Sequence, residues 1–227
     1  VSAEPPGGAA RVQLLDWRRR VHELYARVRR AGSASPEAFA DFRATRDALF
    51  ARHPQSPLPS ERRATFAGLA TYPYDPRLRF VVELDTDVEH LRLDVRLADD
   101  GVVALERFAQ VVVPFPEGSA RLSLFWIGGY GGGVFLPFRD ATNGVASYGG
   151  GRYLLDTIKG ADLGAEGGAL VLDFNYAYHP SCAYDARWDC PLAPPENRLD
   201  TAIEVGERLP WRGDIVGKPT ESGGASG

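Results

Sequence analysis

The sequence predicts an α+β fold: two N-terminal helices packed against a mainly antiparallel, curled β-sheet, sandwich or barrel-like. Three observations predict it. The N-terminal part repeats apolar side chains at three- and four-residue steps. Leu91, Leu93, Val95 and Leu97 alternate with Arg92, Asp94 and Arg96, an apolar face opposite a charged one. The remainder is a series of short apolar runs punctuated by Gly, Pro and Asp.

Residues 1–10 read as a flexible arm. A helix is expected over residues 11–31, because Leu14, Trp17, Val21, Leu24 and Val28 form one stripe and Gly32 stops it. Ser35-Pro36-Glu37 starts a second helix, with Ser as the N-cap and Pro in the first turn. Phe39, Phe42, Leu49 and Phe50 are its buried side. His53-Pro54 ends it, since a residue before proline avoids the helical region. Strands follow at residues 80–84, 91–97, 102–113 (with a break near Ala109-Gln110), 121–127, 134–138, 152–155 and 169–174. Asp99-Asp100-Gly101 reads as a hairpin turn. The glycine run 128–133 reads as a mobile hairpin loop; it lacks the GKS/T of a phosphate loop and no helix follows it. Residues 179–195 are proline-rich and irregular, a loop over the sheet. The domain reading is an arm at 1–10, a helical segment at 11–58, a β-rich unit with the site at 59–211 and a flexible tail at 212–227.

The chain has 227 residues, 44% hydrophobic and 25% charged, with a net charge of −4. That charge offers no field favouring nucleic acid or an anionic membrane, so neither is an expected partner. The run Arg18-Arg19-Arg20 with Arg27, Arg29 and Arg30 reads as a solvated helix face. No apolar run reaches the roughly 18 residues that span a bilayer. No exporting segment is visible, so a cytoplasmic location is expected, with an exported protein as the alternative. No cofactor is expected.

Chemistry-bearing residues crowd into the stretch 134–207. In PFRDATNG, Phe138 and Asp140 point one way along a strand and Arg139 the other. One of the two charges therefore faces inward and needs a partner. The motif is either a capped turn or part of a pocket at the strand end. In SYGGGRY, three glycines adjoin Tyr148 and Arg152. They make a sheet corner, or they let the backbone at Gly150 approach a ligand while Arg152 supplies a forked donor to an anion. In DFNYAY, strand alternation puts Asp173 and Asn175 on one face, with Tyr178 following. In PPENRL, two prolines stiffen the approach to Glu196, Asn197 and Arg198, as a loop clamp or as part of a site. In HPSCAYDARWDC, His179, Cys182 and Cys190 are weak metal candidates, with Asp185 or Asp189 as a fourth ligand. A disulfide and two free thiols are the other readings of that cysteine pair. Both sulfurs are expected near each other in space. Arg46-Asp47 and residues 53–58 read as docking the helix pair onto the sheet.

The motifs PFRDATNG, SYGGGRYLL, LDFNYAYHPSCAY and CPLAPPENRL, with FRATRDALFARHPQSPL and FAGL upstream, resemble a bacterial family catalogued as a domain of unknown function. The resemblance runs from about Trp17 to Glu207. It implies a β-rich fold with N-terminal helices and brings no activity with it. The position of His179 is often Asn in similar proteins, which implies that His179 is dispensable.

The expected function is recognition of a small polar or anionic molecule in a pocket at the sheet end, with catalysis left open. Arg139, Arg152 and Arg198 would hold the anion. Asp140, Asp173 and Glu196 are the acid/base candidates. Tyr148, Gly150, Asn175, Tyr178 and Asn197 would orient the ligand. Arg152, Asp140, Asp173 and Asn197 are expected to converge on one cavity, and Arg152→Ala to weaken binding without changing the melting temperature. The competing class is a noncatalytic scaffold whose motifs clamp loops; zinc binding is third.

Overall fold

The computed structural model describes residues 7–98 and 101–209. The expectations for residues 1–6, for Asp99-Asp100 of the predicted turn and for the tail at 212–227 lie outside these. Helix α1 spans Gly8–Ala31 and α2 spans Pro36–Arg52, followed by a single turn, α3, at Ser60–Arg63. Residues 8–10, expected in an arm, are helical. In α1 the stripe buries Val21, Leu24, Tyr25 and Val28, whereas Leu14 and its neighbours Val12 and Leu15 are exposed. The Ser35 side chain caps α2 by accepting the Ala38 N–H at 3.2 Å, as predicted.

Among the described residues eight strands form two antiparallel sheets: β1 Arg79–Val82, β2 Leu91–Leu97, β3 Gly101–Phe115, β4 Gly118–Ile127, β5 Gly133–Phe138, β6 Arg152–Asp156, β7 Ala165–Glu166 and β8 Ala169–Asp173. One sheet has the order β2-β3-β4-β5-β6 and the other β1-β8-β7, so neither closes into a barrel. Long β3 shifts register between Arg107 and Ala109, close to the expected break, and the two-residue β7 was not anticipated.

The three layers follow from strand alternation. On β8, Leu172 faces a core shared with Val82 of β1, Val111 and Val113 of β3, Leu122 and Leu124 of β4 and Leu154 of β6. Val171, pointing the other way, joins Leu24, Val28, Phe39, Phe42 and Tyr176 in a second core beneath the helices. The small sheet thus lies between the helix pair and the large sheet. Edge-on aromatic contacts tie the layers together, with Phe39 and Phe42 against Tyr176 at 5.5 and 4.8 Å.

The DFNYAY segment departs from the expected strand. β8 ends at Asp173, and residues 174–176 turn as a 3-10 helix whose first N–H groups need a cap. Asp173 accepts the Asn175 N–H at 3.1 Å and supplies it. The short polar side chain two residues before a free amide wins over period-two alternation.

Candidate functional site

The strand pair β5–β6 opposes Phe138 and Arg152, and the two faces of this corner differ in kind. Phe138 and Asp140 are buried and Arg139 is half-buried, the alternation expected for PFRDATNG. On the inward face Arg152 has 0% exposure. Its Nη2 donates to Asp140 Oδ2 at 2.5 Å and to the Ile203 carbonyl at 2.7 Å. Its Nη1 donates to the carbonyls of Val205 at 2.5 Å and Glu207 at 3.1 Å. Asp140 Oδ1 accepts from both the backbone N–H and the hydroxyl of Thr142, at 2.6 and 2.5 Å. A buried ion pair tolerates its desolvation only with such supporting bonds. Arg152 is therefore a clamp that fastens residues 203–207 to the corner, a correction to its expected role as an anion donor, and Asp140 is its counter-ion.

Two buried asparagines act as artificial strand neighbours. Asn197 accepts the Ser123 N–H at 2.7 Å and donates to the Ser123 carbonyl at 2.8 Å and the Pro137 carbonyl at 2.8 Å. Asn175 accepts the Asp75 N–H at 2.8 Å and donates to the Asp75 carbonyl at 2.9 Å. Each primary amide offers an acceptor and a donor to one residue, as a facing strand would, and has a second donor besides. Asp173 takes two bonds from Asn175 and one from the Tyr74 hydroxyl at 3.1 Å. Burial raises its pKa, partly offset by the Asn175 bonds. The expected convergence of Arg152, Asp140, Asp173 and Asn197 is accordingly not found. Arg152 and Asp140 pair, while Asp173 and Asn197 serve separate joints.

Gly150 is also structural. A Cβ there would lie 2.4 Å from the Tyr148 ring and 2.8 Å from Leu192, so the absent side chain makes room for protein. At Gly151, with φ of 101°, a Cβ would meet the Phe138 carbonyl at 2.6 Å.

Tyr178 lies elsewhere, at a cavity of about 70 Å³ in the seam between helices and sheets, with Tyr25, Arg46, Lys159 and Ser181. Arg46 was expected to dock the helices, and it does so with a partner that the sequence did not announce. Its Nε and Nη2 donate to Glu207 Oε1 at 2.8 and 2.5 Å. Glu207 Oε2 accepts from the His179 backbone at 2.9 Å and the Tyr184 hydroxyl at 2.7 Å. The guanidinium sits over the rings of Phe42, Phe50 and Tyr178. Burial acts to raise the Glu207 pKa, but Arg46 and the surrounding donors outweigh it and hold the carboxyl below its usual range. The signal was present: Arg46 occupies a stripe position among Phe39, Phe42, Leu49 and Phe50, where an arginine needs a buried carboxylate.

His179 is 3% exposed, and its Nε2 accepts the Tyr148 N–H at 3.2 Å. Burial drives its pKa down to about 4, so the ring is neutral. Cys182 is buried and Cys190 half-buried, and both are free. They pack in one small cluster, close enough for each thiol to act on the other's pKa, which meets the expectation of proximity. Among the described residues no three His, Cys, Asp or Glu side chains are grouped to hold a metal ion.

On the outward face the picture reverses. Arg139 and Arg198 sit opposite each other in a parallel bridge, fixed by Arg139 N–H to the Asn197 carbonyl at 2.9 Å and Leu199 N–H to the Arg139 carbonyl at 2.8 Å. Arg139 is half-buried and Arg198 exposed. Neither guanidinium has a hydrogen-bond or carboxylate partner among the described residues, and Arg139 Nε is buried without one. Burial lowers the pKa of Arg139, and the neighbouring charge of Arg198 lowers it further. Tyr148 lies near enough to Arg139 for the guanidinium to act on its hydroxyl. Of the three acid/base candidates, Glu196 alone is exposed.

No helix among the described residues is long and apolar enough to cross a membrane. No protein of curated function matches the chain. The solution NMR structure of an uncharacterized protein from Haloarcula marismortui is 34% identical, with 74% of this chain and 90% of that one covered and a TM-score of 0.52. Residues 64–208 match the family described as DUF1684, protein of unknown function, and it is to this family that the chain belongs.

Proposed function

We propose that this protein binds a small anionic molecule on the outward face of the β5–β6 corner, between Arg139 and Arg198. The observation that supports this reading is the pairing of two guanidinium groups with no carboxylate between them. Like charges held together repel, and burial removes part of the solvent that would screen them. An anion bridging the two relieves both costs, and two forked donors suit carboxylate or phosphate oxygens. A cleft of about 430 Å³ between α1 and α2 is a weaker candidate, because Asp16, Arg20 and Arg27 along it already have ionic partners.

Calorimetric titration at low ionic strength with inorganic phosphate and with citrate tests this. Wild-type protein should bind at least one of them. Arg139→Ala and Arg198→Ala should each weaken binding by about 1.5–3 kcal/mol, the scale of a charged hydrogen bond. Wild-type protein that takes up neither anion, or variants that bind as well as wild type, would sink the proposal. The scaffold reading then gains, and it has its own support in the four hydrogen bonds of the Arg152 Nη atoms and in the amides of Asn175 and Asn197, which all serve the fold.

A further inference from the structure

The loop that joins the segment after β8 to the PPENRL motif carries both cysteines of the chain, and it is pinned on each side of them. Around Cys182, Tyr184 donates to Glu207 at 2.7 Å, and residues 181–183 form a 3-10 turn holding Cys182. Around Cys190, the Asp189 carboxylate accepts the Ala98 N–H at 2.5 Å, and the Pro191 carbonyl accepts the Tyr153 hydroxyl at 2.5 Å. These fixed points hold the two cysteines within one packed cluster, close enough for each thiol to act on the other's pKa. Tyr148, Cys182 and Ala183 form a small apolar cluster, and Trp188, Cys190 and Leu192 pack on it. Cys182 lies inside and Cys190 at its half-exposed edge.

We propose that Cys182 and Cys190 form a thiol–disulfide exchange site that reacts with low-molecular-weight disulfides, Cys190 being the attacking sulfur and Cys182 the resolving one. The Cys190 thiolate attacks one sulfur of the small disulfide. A protein mixed disulfide forms, and one thiolate leaves and takes up a proton. Cys182 then gives up its proton and attacks the Cys190 sulfur, expelling the second small thiol. Counted from the dithiol, the protein loses two protons and two electrons, and the small disulfide gains them as two thiols.

The division of labour rests on placement. Cys190 is half-buried where Cys182 is buried, which makes it the more accessible of the two, and the Cys182 thiol lies close enough to donate a hydrogen bond to a thiolate there. That bond, the Cys182 N–H and the nearby Lys159 ammonium together lower the Cys190 pKa to about 7 against the opposing effect of burial. The bond to Cys190 followed by burial raises that of Cys182. A partly accessible thiolate beside a protonated partner is the arrangement that exchange chemistry uses.

The test is intact mass spectrometry of the folded, reduced full chain after incubation with glutathione disulfide. Wild-type protein should lose two hydrogens without retaining glutathione, and dithiothreitol should reverse the change. Cys182→Ser should accumulate one glutathione adduct at residue 190. Cys190→Ser, left with the inner thiol, should gain an adduct at least tenfold more slowly. Wild-type protein that stays reduced, or that collects stable adducts instead of closing the pair, overturns the proposal. Equal adduct rates in the two variants overturn the assignment of roles. None of these outcomes depends on Arg139 or Arg198, so the result stands apart from the anion site.

Discussion

Arg152 and Arg139 lie at the same strand end, one at the start of β6 and the other one residue past its partner Phe138, yet they meet opposite fates. Arg152 faces inward, is fully buried, and spends four hydrogen bonds on one carboxylate and three carbonyls. Arg139 faces outward beside a second arginine and has no carboxylate. The first is what a fold requires of an arginine it buries. The second is a cost that the described fold does not offset. Unpaired charge is therefore a better guide to a site here than abundance of polar residues.

The largest effect that separates the two faces should come from Arg152→Ala. It leaves Asp140 uncompensated and strips three carbonyls of their donor, so a loss of about 3–5 kcal/mol is expected from urea unfolding. This reverses the sequence-based expectation of an unchanged melting temperature. A loss below about 1 kcal/mol would mean that the inward arginine is no clamp.

A second measurement probes the inward side through protons. The folded pKa of His179 is pressed by burial to about 4, against an ordinary value of 6.5. Between these values the unfolded chain binds a proton that the folded chain does not. Stability therefore rises with pH through this window and is lost on acidification, by about 3 kcal/mol in all. Glu207 acts in the same direction further down: its pKa is also lowered on folding, so its contribution holds above the ordinary carboxylate range and fades as pH falls. Urea unfolding across the window should show the slope, and His179→Gln should flatten its upper part. A flat wild-type profile would show that the ring is hydrated and protonated.

The smallest effect belongs outside. Removing both Arg139 and Arg198 side chains should change unfolding free energy by no more than about 0.5 kcal/mol, the usual range for surface positions. A loss of several times that would make the outward pair structural too and erase the contrast.

How far this was readable from sequence depends on the range of the forces involved. The capped start of α2, the alternation of β2 and the inward turn of Phe138 and Asp140 are local, set by neighbours a few positions away, and they were legible. Asp173-Phe174-Asn175 misled because two local rules compete there, alternation and a side-chain cap, and the cap prevails. The role of Arg152 was hidden for another reason. Its acceptors are mostly carbonyls at 203, 205 and 207, and every residue type has a carbonyl. Asn197 was hidden likewise, since it recognises the backbone of Ser123 and Pro137 rather than any side chain.

The bond between Arg46 and Glu207 joins positions 161 residues apart. A ribosome finishes the helical hairpin long before it delivers the carboxylate that neutralises its buried charge. Until then, seating α2 on the sheet would strand a guanidinium among Phe42, Phe50 and Tyr178. The emerging chain should therefore keep its helices undocked during translation, and a nascent polypeptide halted just before Glu207 should be far more open to protease around Arg46 than one released a few residues later.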